Sequence, residues 1–133
     1  MESLVVTVVG PDRPGLVSLL SDCGRAHGAS WEESRMASLA GQFAGIVHFA
    51  VPPEQKAALT AALHALRTVG LEAVVVAGVA AAGSAEGRLL RLELVGQDRP
   101  GIIRDVSGAV AELGVSIREL TTEMSSAAMS GEH

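Results

Sequence analysis

Aromatic residues are nearly absent from this chain of 133 residues: it holds one Trp, two Phe and no Tyr. Trp31, Phe43 and Phe49 are the three, so the core has to be built from Val, Leu, Ile and Ala. Cysteine occurs once, at Cys23, which excludes an intramolecular disulfide and fits a reducing compartment. No block of basic residues offsets a net charge of −5. A nucleic-acid binder needs a cationic face to displace counterions from phosphates, so direct nucleic-acid contact is not expected. The longest apolar stretch, "AVVVAGVAAAG" from Ala73, is far shorter than a membrane span, and the start "MESLVVTVVG" lacks the form of a signal peptide. A cytoplasmic protein with no membrane contact is the expectation.

Catalytic patterns are equally scarce. His27, His48 and His64 fall on separate elements and His133 ends the chain, so no metal-ligand spacing is formed and no metal is expected. Cys23 falls on the apolar stripe of a helix, as a small core residue does. Glu33 and Arg35 alternate onto one face of a strand, with Glu32 on the other, which reads as a solvated ion-paired face. No Ser/His/Asp order, paired-acid arrangement or cofactor fingerprint is present. Neither an enzyme nor a cofactor is expected.

What the chain does have is a repeat. "GPDRPG" at 10–15 returns as "GQDRPG" at 96–101, 86 positions on. The same shift superposes Leu4, Val6 and Val8 on Leu90, Leu92 and Leu94, Leu20 on Val106, Gly28 on Gly114, and Ser30 on Ser116. One supersecondary unit is used twice. In the first copy, "LVVTVV" (4–9) predicts a strand apolar on both faces, hence covered on both. Leu16, Leu19, Leu20 and Cys23 keep helical spacing, with Pro14 suited to the first helical position and Asp12 just before it. Segments 30–39 and 42–51 predict a hairpin turning at Ala40-Gly41. A helix follows Pro52-Pro53, with Leu59, Leu63 and Leu66 inward and Gly70 at its end, and 71–77 is a fourth strand. The order is β-α-β-β-α-β, the ferredoxin-like α+β plan, with strand order 4-1-3-2.

Three regions follow: a complete first module (1–77), a small-residue linker (78–87), and an incomplete second module (88–133). The second module predicts a strand at 90–95, a helix with Ile103, Val106, Val110 and Leu113 inward, and a strand at 115–124. Its hairpin partner, second helix and last strand have no counterpart. Half a unit leaves backbone groups in need of a partner, so another chain or the first module is expected to cover the gap, most simply in a homodimer.

The loop carries the functional expectation. Glycine ends the strand and proline leads into the helix, whose first amides are unpaired and attract anions. A free amino acid suits such a place, carboxylate on the amides and ammonium on carbonyl or carboxylate oxygens. The competing reading is a sharp strand-to-helix turn with no ligand. The glycine spacing also resembles a phosphate loop, but Leu16 and Val17 stand where that loop needs Lys and Ser or Thr.

A βαββαβ unit with "DRPG" between its first strand and first helix resembles the ACT domain, a regulatory module that often senses amino acids. Residues 5–49, and "EESRMASLAGQF" (32–43) above all, resemble the first module of the glycine cleavage system transcriptional repressor family. That resemblance implies a non-catalytic regulator without a DNA-binding domain, acting through a transcriptional regulator partner in response to glycine. By position it implicates Gly10, Asp12, Arg13, Pro14 and Gly15, and likewise Gly96, Asp98, Arg99, Pro100 and Gly101, as ligand-binding. Ser30 and Ser116 stand where many ACT modules have Asn. Two alternatives stay open: an interaction or dimerisation module without a ligand, and a regulatory subunit of a metabolic enzyme.

Overall fold

The computed structural model describes residues 1–78, 91 and 101–122. Internal contacts divide the chain into two units, Met1–Arg88 and Leu89–His133. Most of the expected strand at 90–95, most of the linker, residues 123–124, and Gly96, Asp98, Arg99 and Pro100 lie outside the described residues.

In the first unit the expected order is found. Strand β1 (Glu2–Pro11) leads to helix α1 (Leu16–Ala26), then β2 (Ser30–Leu39) and β3 (Gln42–Val51). Helix α2 (Lys56–His64) sits between short 3₁₀ turns at Pro53–Gln55 and Ala65–Val69, and β4 (Glu72–Ala77) closes the unit. The four strands form one antiparallel sheet in the order β2-β3-β1-β4. This is the ferredoxin-like arrangement, read from the opposite edge.

Alternation sets the core. Leu4, Val6 and Val8 of β1 are buried with Phe43, Val47, Phe49 and Val51 of β3. Leu16 and Leu20 of α1, and Leu59 and Leu63 of α2, cover that side of the sheet. The stripe of α1 differs slightly from expectation: Leu19 and Cys23 are only partly buried, and Gly24 is buried. Gly24 lies against the Phe49 ring, which a Cβ there would meet at 2.5 Å. Trp31 meets the same ring edge-on, with centroids 5.6 Å apart. Leu66 packs at the core margin, partly buried.

The opposite face corrects one expectation. β1 was expected to be covered on both sides, yet Thr7 is exposed and Val9 is 46% exposed. Both helices of the unit lie on one side, so residues of odd number in β1 have no layer above them within it. An all-apolar run cannot by itself reveal how many layers surround a strand.

The hairpin turns where expected. Ala40 and Gly41 have φ of 50° and 81°, the paired positive values of a type I′ turn. Helix ends are set by glycine. After α1, Gly28 donates to the Arg25 carbonyl and Ala29 to that of Gly24, with Gly28 at φ 70°. This is a Schellman cap. The same bonds close the turn at Gly70, from Gly70 to Arg67 and from Leu71 to Leu66.

In the second unit, α3 (Ile102–Glu112) is the element present among the described residues. Gly114 caps it as Gly28 caps α1: Gly114 donates to Ala111 and Val115 to Val110. The repeat therefore extends to the backbone geometry of the helix end. Residues 115–122 form no strand, contrary to expectation, and are exposed. A strand is not a local structure; its backbone needs a ladder partner, whereas a helix of this length satisfies most of its bonds internally.

Candidate functional site

The loop between β1 and α1 is built by three ties to distant parts of the chain. Gly10 is buried against the Gly70 backbone, and a Cβ on Gly10 would collide with the Gly70 carbonyl oxygen. Asp12 donates its amide to the Gly41 carbonyl at the hairpin tip, 2.9 Å away. The Arg13 guanidinium donates to the Val69 carbonyl at 2.7 Å. Gly15 then turns the chain at φ 89°, ψ 3°. These are the angles of the third residue of a type II turn, which favours proline just before it.

Pro14 is therefore a turn residue, two positions ahead of the first helical residue Leu16, and not the first residue of the helix. The proline–glycine pair prefers this turn, and the helix begins after the glycine. Asp12 likewise stands too far back to cap α1, and no side chain caps it. The first bond of the helix runs from Leu19 to the Gly15 carbonyl, 3.0 Å. The amides of Leu16, Val17 and Ser18 precede it and have no acceptor within the helix. Val17 beside them is 48% exposed, so this helix end faces solvent.

Of the expected site residues, the structure gathers Gly10, Asp12, Arg13, Pro14 and Gly15 into one exposed turn anchored by buried Gly10. In the second unit Gly101 repeats Gly15, with φ 84° and ψ 2°, and the first bond of α3 runs from Asp105 to its carbonyl. Residues missed from the sequence are Gly41 and Val69, whose carbonyls accept hydrogen bonds from the loop, and Gly70, whose backbone packs on Gly10. Gly70 was legible as a helix stop; its approach to Gly10 spans 60 positions and leaves no local signal.

Elsewhere the chemistry is sparse. Arg35 and Glu33 pair at 3.2 Å on the outer face of β2, as their spacing predicts. Burial pushes the Cys23 thiol up from its ordinary value of 9.0. Among the described residues no group of three or more His, Cys, Asp or Glu could hold a metal ion. An open depression of 510 Å³, lined by Pro53, Lys56, Ala57, Thr60, Ala61 and His64, shares no residue with the loop. Among the described residues no helix is long and apolar enough to cross a membrane.

A two-layer βαββαβ unit with an ordered loop at the head of its first helix defines a small module of ferredoxin-like fold. The sequence pattern of the ACT domain matches residues 2–75, more than half of the chain, and the chain belongs to that family. The structure is similar to that of an unknown protein from Galdieria sulphuraria, with a TM-score of 0.67 and 28% identity over 92% of this chain and 70% of that one. It is also similar to a candidate glycine cleavage system transcriptional repressor, with a TM-score of 0.67 and 17% identity over 90% and 71% of the two chains. The ligand-free regulatory subunit of aspartate kinase from Thermus thermophilus has a TM-score of 0.50 and 16% identity over 92% and 77%. No curated protein matches the chain.

Proposed function

We propose that this chain is a regulatory ACT protein that binds a small, glycine-like amino acid at the "DRPG" loop and signals to a partner protein without touching DNA. The observation carrying this reading is the solvent-facing start of α1, where the amides of Leu16, Val17 and Ser18 follow a loop held in place from three sides. A carboxylate is the ligand such amides favour. Asp12, exposed in the same loop, supplies a carboxylate as an acceptor for an ammonium group. Gly10, Pro14 and Gly15 shape the turn, and Arg13 fixes it through Val69. By the sequence repeat, Gly96, Asp98, Arg99, Pro100 and Gly101 are the corresponding candidates of the second module.

The partner belongs to amino-acid metabolism or its transcription, in a cytoplasmic setting, and the protein works as a homodimer. A ligand shifts the assembly only if it binds one arrangement better than the other. Isothermal calorimetry with glycine, alanine and serine tests the reading. Binding heat that Asp12→Asn abolishes, with the fold intact, supports it; no heat with any amino acid overturns it. The second reading, an interaction module without ligand, is favoured by the internal use of the Asp12 amide and the Arg13 side chain. A regulatory subunit of a metabolic enzyme would instead co-purify with that enzyme.

A further inference from the structure

Two of the three ties that hold the loop between β1 and α1 end on adjacent residues, Val69 and Gly70. Gly10 packs on the Gly70 backbone, and Arg13 donates to the Val69 carbonyl at 2.7 Å. These two residues turn the chain from the helical run 56–69 into β4. The way that run is capped explains why an acceptor is left there. Leu71 donates to the Leu66 carbonyl, Gly70 to that of Arg67, and the Thr68 hydroxyl to that of Ala65. A Schellman motif leaves the carbonyl just before its glycine unmet. Here that carbonyl belongs to Val69, at the negative end of the helical run, and a guanidinium 56 positions away in sequence meets it. Gly70 holds the corner at φ 92°, and a Cβ on it would meet nothing within 4 Å, so the position needs glycine for its angle and not for its size. Leu71, fully buried just after it, roots the corner in the core.

We propose that the Val69-Gly70 corner is the positioning element of this loop: it holds residues 12–16 rigid, and through them it sets how well an amino acid binds, without touching that ligand. The effect on affinity rests on the function proposed above; the effect on the loop does not. Pro14 and Gly15 fix the angles of the turn, but a turn of fixed shape can still swing about its ends. Gly10 is clamped at one end, and Leu16, 3% exposed, is anchored at the other. Between them the loop is held by the Asp12 amide at the Gly41 carbonyl and by Arg13 at the corner. Without the Arg13 bond the exposed stretch keeps the hairpin tie alone. A loop that moves loses affinity to the ordering that binding then requires. Val69 and Gly70 therefore govern the site from outside it.

Backbone amide NMR relaxation of the full chain, with no amino acid added, tests the positioning. In the wild type the order parameters of Asp12, Arg13, Gly15 and Leu16 are expected near about 0.85, the level of a rigid backbone. Arg13→Met keeps the aliphatic stem and removes the donor; it is expected to lower them toward about 0.6, with Val6 and Val47 in the core unchanged. Gly70→Ala disturbs the corner without contacting the loop and is expected to act in the same direction. Arg13→Lys keeps a cationic donor and should restore most of the order. A fall in overall stability alone does not move these fast motions, so the readout separates positioning from general support. Calorimetry with glycine measures the consequence: Arg13→Met is expected to bind roughly threefold to tenfold more weakly. Unchanged loop order in both Arg13→Met and Gly70→Ala overturns the proposal. So does weaker binding by Arg13→Met with loop order intact, which would make Arg13 a ligand contact. A wild type that binds no amino acid refutes the effect on affinity together with the proposed function, while the relaxation data still decide whether the corner holds the loop.

Discussion

Two alanine substitutions five positions apart probe the loop by different physics. Gly15 sits at φ 89°, and a Cβ there would find nothing within 4 Å, so Gly15→Ala adds no clash and only forces the left-handed region. That conformation costs an L-residue about 1–2 kcal/mol. Alanine also stiffens the unfolded chain, which returns ~0.4–1 kcal/mol. The net loss is about 1 kcal/mol, a fall in Tm of roughly 4–8 °C for a unit of this size. Asn tolerates the same angles, so Gly15→Asn should recover part of the loss. Gly10 has ordinary strand geometry, but its Cβ would strike the Gly70 carbonyl oxygen, which is backbone and cannot rotate aside. Gly10→Ala should therefore lose about 1–3 kcal/mol, the range for overpacking, and Gly10→Asn should do no better. Urea unfolding followed by Trp31 fluorescence reads both, since Trp31 packs on Phe49 in the same core. A Gly15→Ala protein as stable as the wild type refutes the left-handed turn. Equal rescue by Asn at both positions refutes the distinction between strain and clash.

Ala40 occupies a left-handed turn position at φ 50°, so Ala40→Asn should raise stability by about 0.5–1 kcal/mol in a thermal melt. Gly24→Ala gains ~1 kcal/mol of helix propensity but drives a Cβ into the buried Phe49 ring; overpacking of about 1–3 kcal/mol should win, with a change in Trp31 emission. Burial raises the Cys23 thiol above its ordinary 9.0, so the folded chain holds that proton more tightly than the unfolded one. Its contribution is complete below about pH 9 and is lost as pH rises through the folded-state value, a decline that Cys23→Ala should remove from urea-stability profiles taken between about pH 7 and 10.5.

What the sequence revealed was whatever a short segment decides alone. The hairpin at Ala40-Gly41, the glycine stops at Gly28, Gly70 and Gly114, and the buried alternation of Leu4, Val6 and Val8 all depend on local backbone preference or period. Their sum specifies the fold, because a βαββαβ order with short connections has few ways to pack. The misreadings fell where two rules compete or where a distant partner decides. Pro14 fits a helix start and a type II turn equally well in sequence; Gly15 at ψ 3° settles it for the turn. Val5, Thr7 and Val9 look like a doubly covered strand, and only the count of helices on each side shows otherwise. Val115 and Ile117 alternate with polar neighbours as a strand would begin, yet residues 115–122 form none, since a ladder needs a neighbour.

The candidate site was legible as a motif and illegible as a mechanism. "DRPG" announces a tight turn before a helix; it does not say that the Asp12 amide is already bonded to Gly41, or that Arg13 reaches Val69. Those bonds change what each residue has to offer. Arg13 is engaged with a carbonyl, so in the proposed reading its part is to hold the turn rather than to grasp a carboxylate. The groups left for an anion are the first amides of α1, which the repeat of the motif alone would not single out. Because the hairpin tip and the Gly70 corner both grip the loop, a ligand there meets a turn already in its final shape and loses little affinity to ordering it. The same grip gives binding a route outward. Gly41 and Val69 lead into β3 and β4, the strands flanking β1, so the loop is tied directly to the sheet.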